Sequence, residues 1–490
     1  MASKSNKTTK TIITFIAAYF EDSNIHGLKY VVKGDLTTIE KCLWLTLLIV
    51  SMFFCVKIGL ESVDRYYTKS TVVGLERDFY YWNTTMPSVT ICPLIRLDEE
   101  RVRAYSRQHN LNENEFQDLY QFLEHLANST YHNFRNIPNN RNIIVLLDRL
   151  KLTPNIYQEL IYNLTGDNTL RTKGDLAIAT DKIRGTSGDI IIQTRQILTE
   201  YGLCYMTNTM LSEKFTSQYM IWGSENYNDV KGVENVLEVK HSSYFDSDVS
   251  YNFLGFGNKP IDGFLHSAFE VMQVDHNLGY TNEPLQVDVE CMEIITEDGF
   301  EKDATISQRK CRFQHESNLT HYPVYSKNIC IQECRLNLVY DICKCIPHFY
   351  PNRIAKPKPI CDYRTLLDCF VQHADYFIKM YKVNKDGGRD TVPCYCVQNC
   401  RDAIVNKRAK YHMQKTNDLV GGNSLLFAMI NLPTYRLKRQ IIFSFTDLMV
   451  SIGGTAGLFL GFSVLCLVEV IYYFTLRVFF YAVKAYFGRN

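Results

Sequence analysis

The stretch Gly453 to Ser463, GGTAGLFLGFS, lies within an apolar run, Leu448 to Val468, that carries no charge over 21 residues. Four of the eleven quoted residues are glycine, and each costs a helix about 1 kcal/mol relative to alanine. At about 1.5 Å per residue the run can cross a hydrocarbon core, yet it is built to unwind near its middle. A second run, Cys42 to Leu60 (CLWLTLLIVSMFFCVKIGL), has 19 residues and one charge, Lys57, whose stem can snorkel to an interface.

Two such runs predict two membrane spans, 42–60 and 448–474. Residues 1–41 and 475–490 then lie on one side and 61–447 on the other. The first run starts too late and is too long for a cleaved signal peptide, and it lacks a small-residue cleavage site. Lys4, Lys7, Lys10, Lys29, Lys33 and Lys41 precede the first run, while Arg436, Lys438 and Arg439 precede the second. Loop charge therefore does not choose the side, and long loops escape that rule in any case.

Cysteine usage does choose. Thirteen of 16 cysteines fall in the middle segment, together with N-x-S/T sequons at Asn83, Asn128, Asn163 and Asn318. Such a segment belongs in an oxidising, glycosylating compartment. The middle is read as extracellular and both termini as cytoplasmic, which leaves a further sequon at Asn6 unused. The chain balances 53 basic against 52 acidic residues, and no nucleic-acid partner is expected.

Within the middle segment, Leu97 to about Leu126 reads as helix, with Phe116, Leu119, Tyr120, Leu123 and Leu126 forming one apolar stripe. From about 200 to 300, β-branched and aromatic residues mixed with Gly, Asn and Asp predict strands and turns. Cys311 to Cys400 holds ten cysteines in 90 residues. CIQEC (Cys330, Cys334) reads as helix and CYC (Cys394, Cys396) as strand. Four helical residues and two strand residues both advance about 6 Å along one face. Nested pairing of Cys334 with Cys394, Cys330 with Cys396 and Cys311 with Cys400 would thus build a ladder. Cys343 and Cys345 could nest likewise with Cys369 and Cys361. Sequence alone does not fix connectivity. Zinc coordination tolerates the same spacings but suits an extracellular segment poorly, and no metal or other cofactor is expected.

These residues carry a resemblance. The chain resembles the degenerin/epithelial sodium channel family, and its insect pickpocket branch in particular, from Ser23 to Glu469. The matching pieces stand in family order: SNIHGLKY (Ser23–Tyr30), MPSVTICP (Met86–Pro93), GLCY around Cys204, QRKCRF at Cys311, YSKNICIQEC, CKCIPHFYP, CYCVQNC and GGTAGLFLGFSVLCLVE. The resemblance implies an α+β membrane protein: two transmembrane helices, a β-strand palm core, and a helical finger and thumb, with the disulfide-rich thumb at about 311–400. Three subunits, identical or related, would surround a pore in the plasma membrane. It implies the nested ladder, adds Cys92–Cys204 and leaves Cys291 free.

The resemblance also assigns roles. Gly461, Phe462 and Ser463 correspond to the G-x-S selectivity belt. Irregular backbone at membrane depth is tolerated where it lines a wet cavity, and freed carbonyls can replace a cation's hydration shell. Glycines also let helices approach closely. Glu469 would supply an inner anionic ring, because an intramembrane carboxylate is costly without a function. The family's second, deeper acid is missing, since VIYY follows. His26-Gly27 corresponds to the gating pair of a loop that re-enters near the pore, Val450 to the site where bulk holds the gate open, and Gly457 to an amiloride-type blocker contact.

The implied function is a voltage-independent, amiloride-sensitive sodium channel subunit gated by a ligand or another stimulus, with an extracellular peptide or small molecule among the candidates. A modulatory subunit of a heteromeric channel and, more remotely, an ATP-gated trimeric channel are the alternatives. H-E-x-x-H, G-x-S-x-G and phosphate-loop motifs are absent, so nothing points to an enzyme. RLKR (Arg436–Arg439) matches a furin-like site but is read as basic surface. The tail has no P-P-x-Y, so ubiquitin-ligase control is not expected.

Overall fold

The computed structural model describes residues 18–480 and 483, except 129–130, 132–136, 138, 166–176, 184–185, 193, 208, 210–240, 244–248, 254–259, 274–276, 282–284, 323, 352–356, 384–385, 413–424 and 430–431. Lys4, Lys7, Lys10 and the Asn6 sequon lie outside the described residues, as does part of the strand-and-turn stretch expected from 200 to 300.

In chain order the principal helices are α1 (Thr38–Thr68), α2 (Glu99–Gln108), α3 (Glu113–Asn128), α4 (Arg141–Arg149), α5 (Tyr157–Leu164), α6 (Lys327–Cys343), α7 (Val371–Lys379), α8 (Phe445–Leu460) and α9 (Val464–Tyr472). The principal strands begin with β1 (Thr71–Glu76), β2 (Ser88–Pro93), β3 (Ala177–Ile183), β4 (Thr186–Ile192), β5 (Thr194–Thr199), β6 (Gly202–Thr207) and β7 (Val249–Phe253). They continue with β8 (Ile261–His266), β9 (Asn277–Thr281), β10 (Leu285–Thr296), β11 (Asp402–His412), β12 (Leu425–Met429) and β13 (Arg436–Ile441). The chain forms two compact units. One comprises Met1–Val72, Glu297–Arg309 and Gln440–Asn490, the other Val73–Thr296 and Lys310–Arg439.

In the first unit α1 opens on a reciprocal cap. Thr37 Oγ1 accepts from the Glu40 amide at 3.4 Å, and Glu40 Oε2 accepts from the Thr37 amide at 2.7 Å. The helix contains an 18-residue window of mean hydropathy 2.2, none of it buried, so its length and composition suit a bilayer crossing. Ser444 and Asp447 cap α8 in the same way, at 3.2 and 2.8 Å. The runs Phe445–Leu460 and Val464–Phe480 then meet at a 76° bend.

Helices α1 and α8 pack side by side. Ser62 Oγ and Ser451 Oγ share a hydrogen bond of 2.9 Å, and the Phe54 and Phe459 rings stack at 6.2 Å. Near the Thr68 end of α1, the Ile442 and Phe443 amides donate to the Ser70 carbonyl at 2.9 and 3.2 Å. The short helix Ile306–Arg309 docks here. Gln308 Nε2 donates to the Tyr66 carbonyl at 3.2 Å, and the Gln308 carbonyl accepts from Thr71 Oγ1 at 3.1 Å.

Two larger sheets form the second unit's framework, beside three two-stranded ones. An antiparallel sheet has the order β9-β8-β2-β6-β5, and a larger mixed sheet runs β1-β13-β10-β12-β7-β3-β4 with β11 paired to β10. Strand β10 is antiparallel to β11 and parallel to β12 and β13. Its residues Leu285, Val287, Val289 and Cys291 are buried on one face, as the period of two requires. They share a core with Val89, Ile91 and Ile261 of the antiparallel sheet.

The expected helix from Leu97 to Leu126 is instead two helices. Asn110 takes a φ of 53° after α2, a conformation asparagine tolerates best among non-glycine residues. Asn112 and Glu115 then cap each other's backbone amides at 2.9 and 3.0 Å to start α3. The stripe Phe116, Leu119, Leu123 and Leu126 is buried as expected, with Tyr120 packed at its margin.

Six disulfides tie this unit. Cys311–Cys400, Cys330–Cys396 and Cys334–Cys394 are nested, Cys343–Cys369 and Cys345–Cys361 are nested within them, and Cys92–Cys204 joins β2 to β6. The CYC segment is not the expected strand. The Cys394 and Cys396 amides donate to the carbonyls two residues back, Val392 and Cys394, each at 2.9 Å. These are consecutive γ-turns, which keep two-residue spacing on one face without a ladder partner.

Candidate ion-conduction site

The break between α8 and α9 is set by glycine and serine chemistry. Gly461 has a φ of 60°, its amide donates to the Gly457 carbonyl at 3.0 Å, and the Phe462 amide reaches the Ala456 carbonyl at 3.3 Å. This is the left-handed ending that glycine provides without a Cβ penalty. Ser463 restarts the helix, its Oγ accepting from the Cys466 amide at 3.3 Å and donating to Cys466 Sγ at 3.4 Å. Among the described residues, the carbonyls of Gly461 and Phe462 accept no hydrogen bond.

The segment around His26 lies against this break. The His26 amide donates to the Leu460 carbonyl at 3.0 Å. A Cβ on Gly461 would overlap the His26 ring, so the absence of a side chain admits the imidazole. Gly27, with a φ of 90°, turns the chain into the short helix Leu28–Val32, where the Tyr30 ring stacks on Trp44 of α1 at 4.6 Å. Three further contacts follow the chain backwards. Asn24 Nδ2 donates to Glu469 Oε1 at 2.8 Å, Asp22 pairs with Arg477 at 3.3 Å, and the Tyr19 ring lies 4.9 Å from Tyr473. The structure therefore brings His26, Gly27, Gly461 and Glu469 into one strap-and-helix assembly.

Val450 is 68% exposed on α8, next to the Ser451 that bonds Ser62. Gly457 is exposed, and a Cβ there would lie 3.7 Å from the Phe462 carbonyl oxygen. Sequence reasoning missed Asn24, Asp22, Arg477 and Ser62. SNIHG contained the signal, but only its last two residues were read as functional.

In the second unit Asn83, Asn163 and Asn318 are exposed and Asn128 is half-buried. Cys291 is fully buried, and burial pushes its thiol well above the usual range. RLKR forms strand β13, where Arg436 and Lys438 pair with Glu76 at 2.6 and 3.5 Å and Arg436 covers the Trp82 ring at 4.1 Å. A half-buried, ion-paired strand does not present an extended loop to a protease. Sequence reasoning also missed a buried carboxylate. Glu270 accepts from the Lys327 and Asn328 amides at the start of α6 (3.1 and 3.2 Å) and from Asn399 Nδ2 at 2.6 Å. Burial, and then Asp402, push it up to about 7.

A helix interrupted at G-x-S beside an intact apolar helix, joined to a β-rich unit with a nested cysteine ladder, defines a channel subunit rather than an enzyme. The chain belongs to the amiloride-sensitive sodium channel family, whose family model matches residues 19–473. It is 23% identical to the sodium channel protein Nach of Drosophila ananassae over 481 residues, covering 92% of this chain and 85% of the relative. It is 22% identical to pickpocket protein 19 of Drosophila melanogaster, over 92% of this chain and 89% of the relative. The bile acid-sensitive ion channel of Mus musculus is 21% identical, over 92% and 86%.

Proposed function

We propose that the chain is a subunit of a trimeric, voltage-independent, amiloride-sensitive sodium channel of the plasma membrane. It crosses the bilayer twice, through α1 and through α8–α9, with both termini cytoplasmic and the disulfide-rich unit outside. Gly461, Phe462 and Ser463 form the selectivity belt, Glu469 draws cations into the inner vestibule, and Gly457 contacts the blocker. Val450 and the His26-Gly27 pair set the open probability. Asn83, Asn128, Asn163 and Asn318 are the glycan acceptors.

The observation that carries this reading is the break at Gly461–Ser463, where two carbonyls have no hydrogen-bond partner among the described residues, in an uncharged apolar run. Such groups cost several kcal/mol facing lipid and are useful facing a cation. The test is expression in oocytes, alone and with sibling subunits, with current recorded as external sodium is replaced and amiloride added. Amiloride-sensitive sodium current in either arm supports the reading. Its absence in both, with protein at the surface, overturns it.

A further inference from the structure

Between Asp447 and Arg477 the sequence holds one acidic residue, Glu469. Its Oε1 accepts from Asn24 Nδ2 at 2.8 Å, across 445 positions of sequence. Among the described residues, no group hydrogen-bonds its second oxygen. The cation nearest in sequence, Arg477, is engaged by Asp22 at 3.3 Å. The same strap thus presents an anion to the helix's arginine and a neutral donor to its glutamate.

That division has an electrostatic consequence. A glutamate on a helix surface moves between rotamers, and the attraction it exerts on a passing cation falls with distance. A lysine or arginine at position 24 would hold the carboxylate but cancel its field. An amide holds it and leaves both the charge and one oxygen available. Asp22 reinforces this, because an unpaired Arg477 two turns along the helix would otherwise lower the local negative potential.

We propose that Asn24 is the positioning residue for Glu469, fixing its carboxylate in the conduction path with its charge intact, so that the N-terminal strap sets the pull of the inner vestibule on cations. The assignment rests on the channel reading above. It differs from a purely mechanical role for the strap, which would change how often the channel opens but not how fast ions pass once it is open.

The experiment uses the full chain, with the sibling subunits that give current, in single-channel recordings from inside-out patches. Asn24→Ala lowers unitary sodium conductance about twofold and weakens block by internal magnesium, as expected for a displaced, partly screened charge. Asn24→Gln restores both, and Asn24→Ala adds nothing in a Glu469→Gln background. A changed open probability with unchanged unitary conductance overturns the assignment, as does an effect of Asn24→Ala that persists undiminished in Glu469→Gln. Oxidative cross-linking of Asn24→Cys with Glu469→Cys reads the contact without any current. Cross-linking together with unaltered conductance in Asn24→Ala therefore rejects the positioning role alone, whereas a chain that passes no cation with any sibling rejects the channel reading and this assignment with it.

Discussion

The His26 amide donates to the carbonyl of Leu460, the last residue of α8, at 3.0 Å. That bond occupies a carbonyl that the helix break would otherwise leave open, and it sets the imidazole where a side chain at position 461 would stand. The loop and the helix break therefore depend on each other, and a change in one is felt by the other.

Gly461→Ala tests this dependence. The substitution imposes a left-handed conformation on a residue with a Cβ, costing about 1 kcal/mol, and drives that Cβ into the His26 ring. Overpacking adds about 1–3 kcal/mol. Surface current is expected to fall severely, with partial recovery in Gly461→Ala/His26→Ala, where only the backbone cost remains. Equal currents in the single and double variants would show that the ring is not the obstacle.

Much of this assembly was legible in the sequence, and its limits have physical causes. Glycine density marked the break, because helix propensity is a local property. The Asn24–Glu469 contact was not legible, since nothing local joins residues 445 positions apart. The ladder's geometry could be read from spacing, but the γ-turns at Cys394 and Cys396 could not, because a two-residue repeat on one face is common to both conformations. Glu270 was hidden for the opposite reason: it caps α6 from 57 positions away, where no capping pattern applies.

Ser463 caps α9 and, on the function proposed above, also lines the belt. Ser463→Thr keeps a hydroxyl for the cap and is expected to shift sodium-over-potassium preference modestly. Ser463→Val loses the cap, worth about 1 kcal/mol, and narrows the same ring. Reversal potentials in mixed sodium and potassium solutions distinguish the two, and unchanged values across both variants would remove Ser463 from the filter.

Cys330→Ser breaks the rung to Cys396, which closes 66 positions of chain. Loss of such a disulfide costs about 2–5 kcal/mol and leaves a thiol that can mispair. Surface delivery is expected to fall, and Cys330→Ser/Cys396→Ser to be milder than either single variant. Rescue of Cys330→Ser by Cys394→Ser instead would contradict the observed rung.

Burial lowers His266 and His348 to about 4, and His348 Nε2 also bonds the Leu126 carbonyl at 3.0 Å. As pH falls from about 6.5 to about 4 the unfolded chain takes up protons that these native histidines refuse, so stability drops across that window. Glu270 acts in the opposite sense, since its native carboxyl binds a proton up to about 7 and its contribution falls as pH rises from about 4.5 to 7. His321, also lowered to about 4, acts with these histidines, and their share should make the melting temperature of the purified protein decline on acidification below 6.5, while Asp402 and Glu333, which burial raises, act with Glu270 against it. His348→Gln should flatten that decline by about one proton's worth, near 1.4 kcal/mol per pH unit. An unaltered pH slope in this variant would mean that His348 is protonated in the fold.

Val450 stands beside Ser451, which is anchored to Ser62 of α1 at 2.9 Å. The valine side chain itself is 68% exposed on a single subunit, on a helix that would face its copies in a trimer. If three copies pack near the axis to close the gate, each methyl resists closure, and overpacking of about 1–3 kcal/mol shifts an open–closed ratio tenfold for every 1.4 kcal/mol or so. Appreciable resting sodium current is therefore expected in the native channel and reduced current in Val450→Gly. The serine pair supplies a control. Ser62→Ala removes the Ser62–Ser451 bond while the Phe54–Phe459 stack remains, so if that bond holds the valine toward the axis, this variant should also lower resting current, and combining it with Val450→Gly should add little. Equal amiloride-sensitive resting currents in native and Val450→Gly channels, at matched surface expression, would show that this position does not hold the gate.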